Sequence, residues 1–218
     1  MKAQRVLLAI VVAAATLTAC GPLQVGAAAT VGDQRITSEQ LDNGVRDFEA
    51  AMSAAKIPAD QVQLPGTVPQ AVLLQLANIN QFTQVGLANG VVISEGEIDA
   101  FISQQGGKAS VEQALLGRGV PPSSVRDWLR ASISAQKMIT ELGGGTDEAA
   151  TTAGQQKLGL EAEKIPVKFN PRYGNFDPAQ GWVPSNRFGS ITPAAPQGEA
   201  PPAQGEAPPA QGEAPPAG

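Results

Sequence analysis

The chain has 218 residues, with 15 Lys and Arg against 20 Asp and Glu, a formal net charge of −5 and no histidine. The acidic balance and the lack of any basic stripe exclude a nucleic-acid partner, which would need cations to neutralise phosphates. The missing histidine removes the commonest general base and metal ligand, and the sole cysteine, Cys20, excludes both an internal disulfide and a thiolate metal cluster.

Lys2 and Arg5 form a charged start, and Val6 to Leu17 an apolar stretch shorter than the roughly 20 residues of a membrane span. Leu17-Thr18-Ala19-Cys20, followed by Gly21, reads as a bacterial lipobox. Small Thr18 and Ala19 let a peptidase reach the backbone, and the Cys20 thiol is the nucleophile that takes a diacylglyceryl group. Residues 1–19 are therefore expected to be a lipoprotein signal peptide, with Cys20 the lipidation site and 20–28 a linker. A further N-terminal acyl chain, palmitate or its like, would supply the second signal that makes anchoring stable. A plain secretory signal is the alternative reading.

Thr30 to Phe48 is expected to be a short strand that turns directly into an amphipathic helix. Val31 and Ile36 flank the turn-prone Gly32-Asp33-Gln34, which makes either a bulge or a hairpin corner. Thr37 and Gln40 have capping-box spacing, with Ser38 the alternative cap one residue on, and Leu41, Val45, Phe48 and Met52 follow on one helical face. Lys56 to Gly66 reads as a loop. A second helix is expected from Val68 to Asn89, with Thr67 as cap, Pro69 in the first turn and Gly90 at the left-handed C-terminal position. No charged residue occurs between Asp60 and Glu95, so this helix has no ionic face and is read as the central helix of a bundle, or as one that leaves an apolar groove for a partner. Its stripe is Val72, Leu76, Ile79, Thr83 and Gly86, widened by Leu73, Phe82 and Leu87.

Ser94 and Glu97 form a second capping box, before a short helix that turns Ile98, Phe101 and Ile102 inward and ends at Gly106-Gly107. Ser110 and Gln113 repeat the pattern for a helix running to Leu116. Pro121-Pro122 introduces a longer helix capped by Ser123 or Ser124, carrying Val125, Trp128, Leu129, Ile133 and Ile139 and ending near Leu142. Gly143-Gly144-Gly145 reads as a flexible joint. A weaker helical pattern from Asp147 to Ala162 leads to Ile165, Val167 and Phe169, which alternate as an edge strand beside Pro166. This strand and the one near Val31 are the two credible strand runs, so each is expected to pair with the other. Asn170 to Pro184 carries the breakers Pro171, Gly174, Pro178 and Gly181 among Tyr173, Phe176 and Trp182, and reads as an ordered tail without regular structure. Beyond Arg187, QGEAPPA occurs three times, from Gln197, Gln204 and Gln211. These heptads offer no core residue larger than Ala, and 188–218 is expected to be an extended, disordered tail.

Catalytic and metal chemistry is not expected. Glu95, Glu97 and Asp99 alternate at the start of the third helix, but acids in a first turn favour the helix dipole, and Gly96 leaves out the rest of a calcium loop. Ser123 and Ser124 have no histidine base and no nucleophile elbow. No glycine-rich phosphate loop is present, so no nucleotide cofactor is expected.

Val31-Gly32-Asp33-Gln34-Arg35-Ile36-Thr37 running into a helix at Leu41, then Val92-Ile93-Ser94-Glu95-Gly96-Glu97-Ile98-Asp99, then a long helix ending near Leu142, resembles the N-terminal chaperone module of the SurA/PrsA-like family. Asn170-Pro171-Arg172-Tyr173-Gly174 is similar to the closing segment of actinobacterial lipoproteins of that type. The resemblance covers Ala29 to Phe176 and implies a mostly α module, 29–187 with its ordered tail, in which a small two-stranded sheet joins the N- and C-terminal ends. Members of that family often carry a parvulin-type prolyl isomerase domain after the long helix. Here Gly143 to Thr146 leaves no room for one, and the histidines it relies on are absent.

The resemblance thus implies a membrane-anchored, extracytoplasmic, ATP-independent holdase that binds apolar segments of unfolded or partly folded secreted proteins and is not an enzyme. Leu73, Leu76, Ile79, Phe82, Phe101 and Trp128 are the candidate client-binding or core residues. The alternative is an envelope lipoprotein that serves as scaffold or adaptor for one specific partner.

Overall fold

The computed structural model describes residues 26–58 and 61–184. Cys20, the signal segment and the QGEAPPA repeats lie outside the described residues. The fold is mostly α: six α-helices, with two small sheets, among the described residues.

The chain enters as β1 (Ala27–Val31), turns at Gly32-Asp33 and returns as β2 (Gln34–Thr37). Gly32 holds φ 54°, in the left-handed region that glycine tolerates. The Val31 to Ile36 run is therefore a hairpin, and β1 starts two residues ahead of the expected domain start. Ala27, Ala28 and Ala29 are fully buried. β3 (Val167–Phe169) pairs antiparallel with the other edge of β1, placing Ala29 opposite Phe169 and Val31 opposite Val167. The two ends of the helical series thus meet as expected, but in a three-stranded sheet ordered β2-β1-β3, with Ile36 paired to Ala29 and not to β3.

α1 (Ser38–Ala54) opens on the expected box: the Gln40 N–H donates to Thr37 Oγ1 at 3.0 Å and the Thr37 N–H to Gln40 Oε1 at 2.8 Å. α2 (Val68–Ala88) is the central helix, touching α1, α5, α6 and β1. At its start Gln70 Oε1 accepts from both the Thr67 N–H and hydroxyl, and Gly90 is left-handed at its end. Leu87, expected to widen the inward stripe, is 59% exposed because it lies on the last, solvent-facing turn.

α3 (Glu95–Gln104) carries the expected Ser94–Glu97 box. α4 (Lys108–Leu116) begins two residues before the expected Ser110 cap, on Gly107 at φ 91°. A 3-10 turn at Pro122–Ser124 leads into α5 (Val125–Gly143). No serine side chain caps α5; instead Asp47 of α1 accepts from the Ser123 N–H at 2.8 Å. α6 (Glu148–Glu163) starts at Asp147, whose carboxylate accepts from the Ala150 N–H.

The Gly143-Gly144-Gly145 segment is a tight corner between closely packed helices and not a loose joint. A Cβ on Gly143 would meet the Ala150 carbonyl at 2.1 Å, and one on Gly154 the Ile139 carbonyl at 2.0 Å, so α5 and α6 cross with their backbones nearly touching. The tail also differs from its reading. β4 (Asn175–Asp177) and β5 (Gly181–Val183) form a second hairpin with Phe176 opposite Trp182, and Phe169, Phe176 and Trp182 meet edge to face at centroid distances of 4.8–6.5 Å.

The apolar residues gather in three places: around β1, α1 and the first half of α2; between α3, α4 and the start of α5; and where α2, α5 and α6 converge. α2 is tied to β1, to the end of α6 and to the segments flanking β3 through uncharged amides. Gln84 Nε2 donates to the Val31 carbonyl, Gln81 Nε2 to those of Ala162 and Ile165, and Gln70 Nε2 to that of Tyr173, at 2.7–3.0 Å. Each such bond adds about 1 kcal/mol net without the cost of burying a charge.

Candidate functional site

α5 presents three different faces, and the site follows from them. Val125, Leu129 and Met138 are buried. Arg126, Arg130 and Lys137 project toward α3 and engage every acid of its first turns: Arg126 binds Glu95 and Asp99, Arg130 binds Glu95 and its own Asp127, and Lys137 binds Glu97. The carboxylates weighed as a cation site are thereby spent on bases of α5, a pairing that spans 27 to 40 residues of sequence and that no local pattern could announce. The Lys137 ammonium, with the Ser94 N–H and hydroxyl, pulls the Glu97 carboxyl down to about 2. Arg126, then Arg130, lower that of Glu95. Among the described residues no cluster of ligating side chains is placed to hold a metal ion.

Trp128, Ser132 and Ala135 form the third face, at spacings of four and three. Here small Ser132 and Ala135 leave depth beside the large indole. A cavity of about 250 Å³ opens on one side of Trp128, lined by Gln75, Asn78, Ile79 and Phe82 of α2 with Ala131 and Ala135 of α5. A cavity of about 310 Å³ opens on the other, between Phe101 of α3, Gln105 just past its end, Val111 and Leu115 of α4, and Leu129 of α5. The two share Trp128 and Ser132, so they are halves of one open trough partitioned by the indole.

The indole is fixed in place. Its N–H donates to Gln75 Oε1 at 3.2 Å, Gln75 Nε2 donates to the Arg118 carbonyl at 2.9 Å, and the Arg118 guanidinium lies over the ring, 5.6 Å from its centroid. A cation over a tryptophan face is attracted by the ring quadrupole, and holding the ring beforehand removes the entropy cost of ordering it on binding.

Of the sequence candidates, Ile79, Phe82, Phe101 and Trp128 converge on this trough. Leu73 does not: it is fully buried in the first core cluster. Leu76 is half-buried and lines a third cavity with Gln40, Asn43, Asn80 and Ser124, which Ile79 also borders. Gln75, Asn78, Arg118 and Ser132 were not singled out from the sequence; their signal is tertiary, apart from the spacing of Ser132 to Trp128. No described helix is long and apolar enough to cross a membrane. No protein-family model, curated protein or solved structure matches this chain.

Proposed function

We propose that this chain is an extracytoplasmic lipoprotein, anchored in the cell membrane through acylated Cys20, that acts as an ATP-independent holdase for apolar segments of unfolded secreted proteins. The trough at Trp128 is the client site. The observation that carries the reading is the open, largely apolar trough whose walls come from four helices, α2, α3, α4 and α5, with a pre-ordered indole at its centre. Capture of an unfolded segment asks for accessible apolar surface on a stable frame and for no reacting group. The resemblance of the strand-helix opening and of the Val92 to Asp99 stretch to SurA/PrsA-like chaperone modules supports the same reading.

The test is suppression of aggregation of two unrelated unfolded proteins, followed by light scattering. The protein should delay both, and Trp128→Ala should weaken the effect while Leu160→Ser, an exposed change away from the trough, should not. Suppression of neither client would favour the adaptor with a single partner. Anchoring is tested by Cys20→Ser, which should release the protein from salt-washed membranes; retention there would sink the lipoprotein assignment.

A further inference from the structure

We infer that the trough selects segments by charge as well as by apolarity: its occupant is an extended peptide that runs past Trp128 with a bulky apolar side chain on either side and the carboxylate of an internal Asp or Glu against Arg118. This rests on the trough being the client site. Each half, at about 250 and 310 Å³, falls at or below the small end of ligand pockets and suits one large side chain. Both halves are open and share the partition, so a chain passes through and does not end there.

The charge argument is independent of size. The protein is acidic overall, yet no carboxylate lines either half, and Arg118 is the one charged residue among the lining side chains. Of the acids on the lining helices, Glu95, Glu97 and Asp99 of α3 pair with Arg126, Arg130 and Lys137, Asp127 of α5 with Arg130, and Glu112 of α4 with Lys108. Arg118 makes no ion pair with any described residue, in contrast to Arg126 and Arg130; its guanidinium rests on the indole face with its donors available. A guanidinium stacked on an aromatic ring is weakly hydrated and pre-ordered, which suits it to bind a carboxylate at the rim of an apolar groove. A lysine in the occupant at this point would face the same guanidinium, and like charges in contact are rejected.

The experiment uses the full chain with Trp182→Phe, which leaves Trp128 as the single tryptophan. Its emission is titrated at low salt with short acetylated and amidated peptides that carry two leucines around a central Asp, Asn or Lys. The Asp peptide should bind about two- to five-fold more tightly than the Asn peptide, as expected for a partly exposed ion pair, with the Lys peptide weakest. High salt and Arg118→Gln should each erase the ranking while the leucine-dependent response persists, and Arg118→Lys should restore part of it. Arg118→Gln leaves the main-chain carbonyl held by Gln75 in place, so the indole stays ordered. Equal binding of the three peptides would overturn the charge selection and leave the apolar site standing. An Asn peptide with a free C-terminal carboxylate that matched the Asp peptide would overturn the assignment to an internal side chain. If no leucine peptide altered Trp128 emission, the client site itself would be misplaced.

Discussion

Gly154 and Gly159 lie five residues apart in α6, and local propensity treats them alike: replacing either by Ala should gain about 1 kcal/mol in a helix interior. Their surroundings are opposite. A Cβ on Gly159 meets nothing within 4 Å, whereas one on Gly154 would stand 2.0 Å from the Ile139 carbonyl oxygen and 2.8 Å from its carbon. These are main-chain atoms of α5, which cannot rotate aside as a side chain would. Relief requires α6 to move away by roughly an ångström, loosening Leu158 from Met138 and Val85 in the cluster where α2, α5 and α6 converge. Overpacking of this kind costs about 1–3 kcal/mol and more where backbone must shift. With the helix gain subtracted, Gly154→Ala should destabilise by about 2 kcal/mol, lowering Tm by about 4–8 °C for a domain of this size. Gly159→Ala should raise Tm by about 2–4 °C. Thermal melts followed by circular dichroism decide it. If both substitutions raised Tm, the close crossing of α5 and α6 would be wrong, and Gly143 to Gly145 would be a loose joint after all.

The acid response of α3 has a definite sign. Because the Glu97 carboxyl is lowered from its ordinary 4.5 to about 2 in the fold, its contribution is complete above about 4.5 and is lost as pH falls from there through about 2. Urea midpoints should therefore drop across that window, and Glu97→Gln, which keeps the capping box but not the Lys137 pair, should drop less; identical profiles would show the pair to be inert. Deleting residues 165–174 removes β3, the two Asn170 bonds to Ala27 and Ala28, the Tyr173 carbonyl that Gln70 binds and one of the two carbonyls that Gln81 binds. The cooperative melt should vanish, and one that persisted near the intact protein's Tm would mean that the β1–β3 pairing is dispensable.

The helices were legible where their signals are local. Ser94 with Glu97 places one N-terminus to the residue, and Thr37 with Gln40, with Ser38 as the rival cap, places another to within one, because a capping box is a contact between residues three apart. The pairing of β1 with β3 was expected because a lone strand leaves main-chain groups unpaired, and the pairing is present, but β1 is not a lone strand: β2 already pairs with its other edge. What was missed follows from context. Ala27 and Ala28 read as linker because alanine carries no strand signature, yet with Ala29 they are fully buried in the central strand of the sheet. The β4–β5 hairpin hides behind Pro178 and Gly181, which break strands in isolation but here form its turn: Asp177 Oδ1 accepts from the Ala179 and Gln180 N–H groups and Gly181 takes φ 78°. In the trough, the apolar members were visible as stripes, but Gln75, Arg118 and Ser132 became part of a site only when α2, α4 and α5 met.

The absence of charge along α2 has two consequences that one physical cause explains. A helix that touches α1, α5, α6 and β1 at once has no solvated face on which to hold Lys or Glu, and a buried charge without a partner costs several kcal/mol. Amides avoid that cost, since each brings a donor and an acceptor without a net charge. Gln70, Gln81 and Gln84 spend theirs on carbonyls of the ordered tail, the closing segment and β1, which holds these segments of the described fold to α2. Gln75 and Asn78, on the flank that faces α5, stand in the wall of the trough instead. The demand for a neutral central helix therefore also leaves that wall neutral, and with the acids of α3 already drawn to Arg126, Arg130 and Lys137, the charge left at the rim is the cation of Arg118.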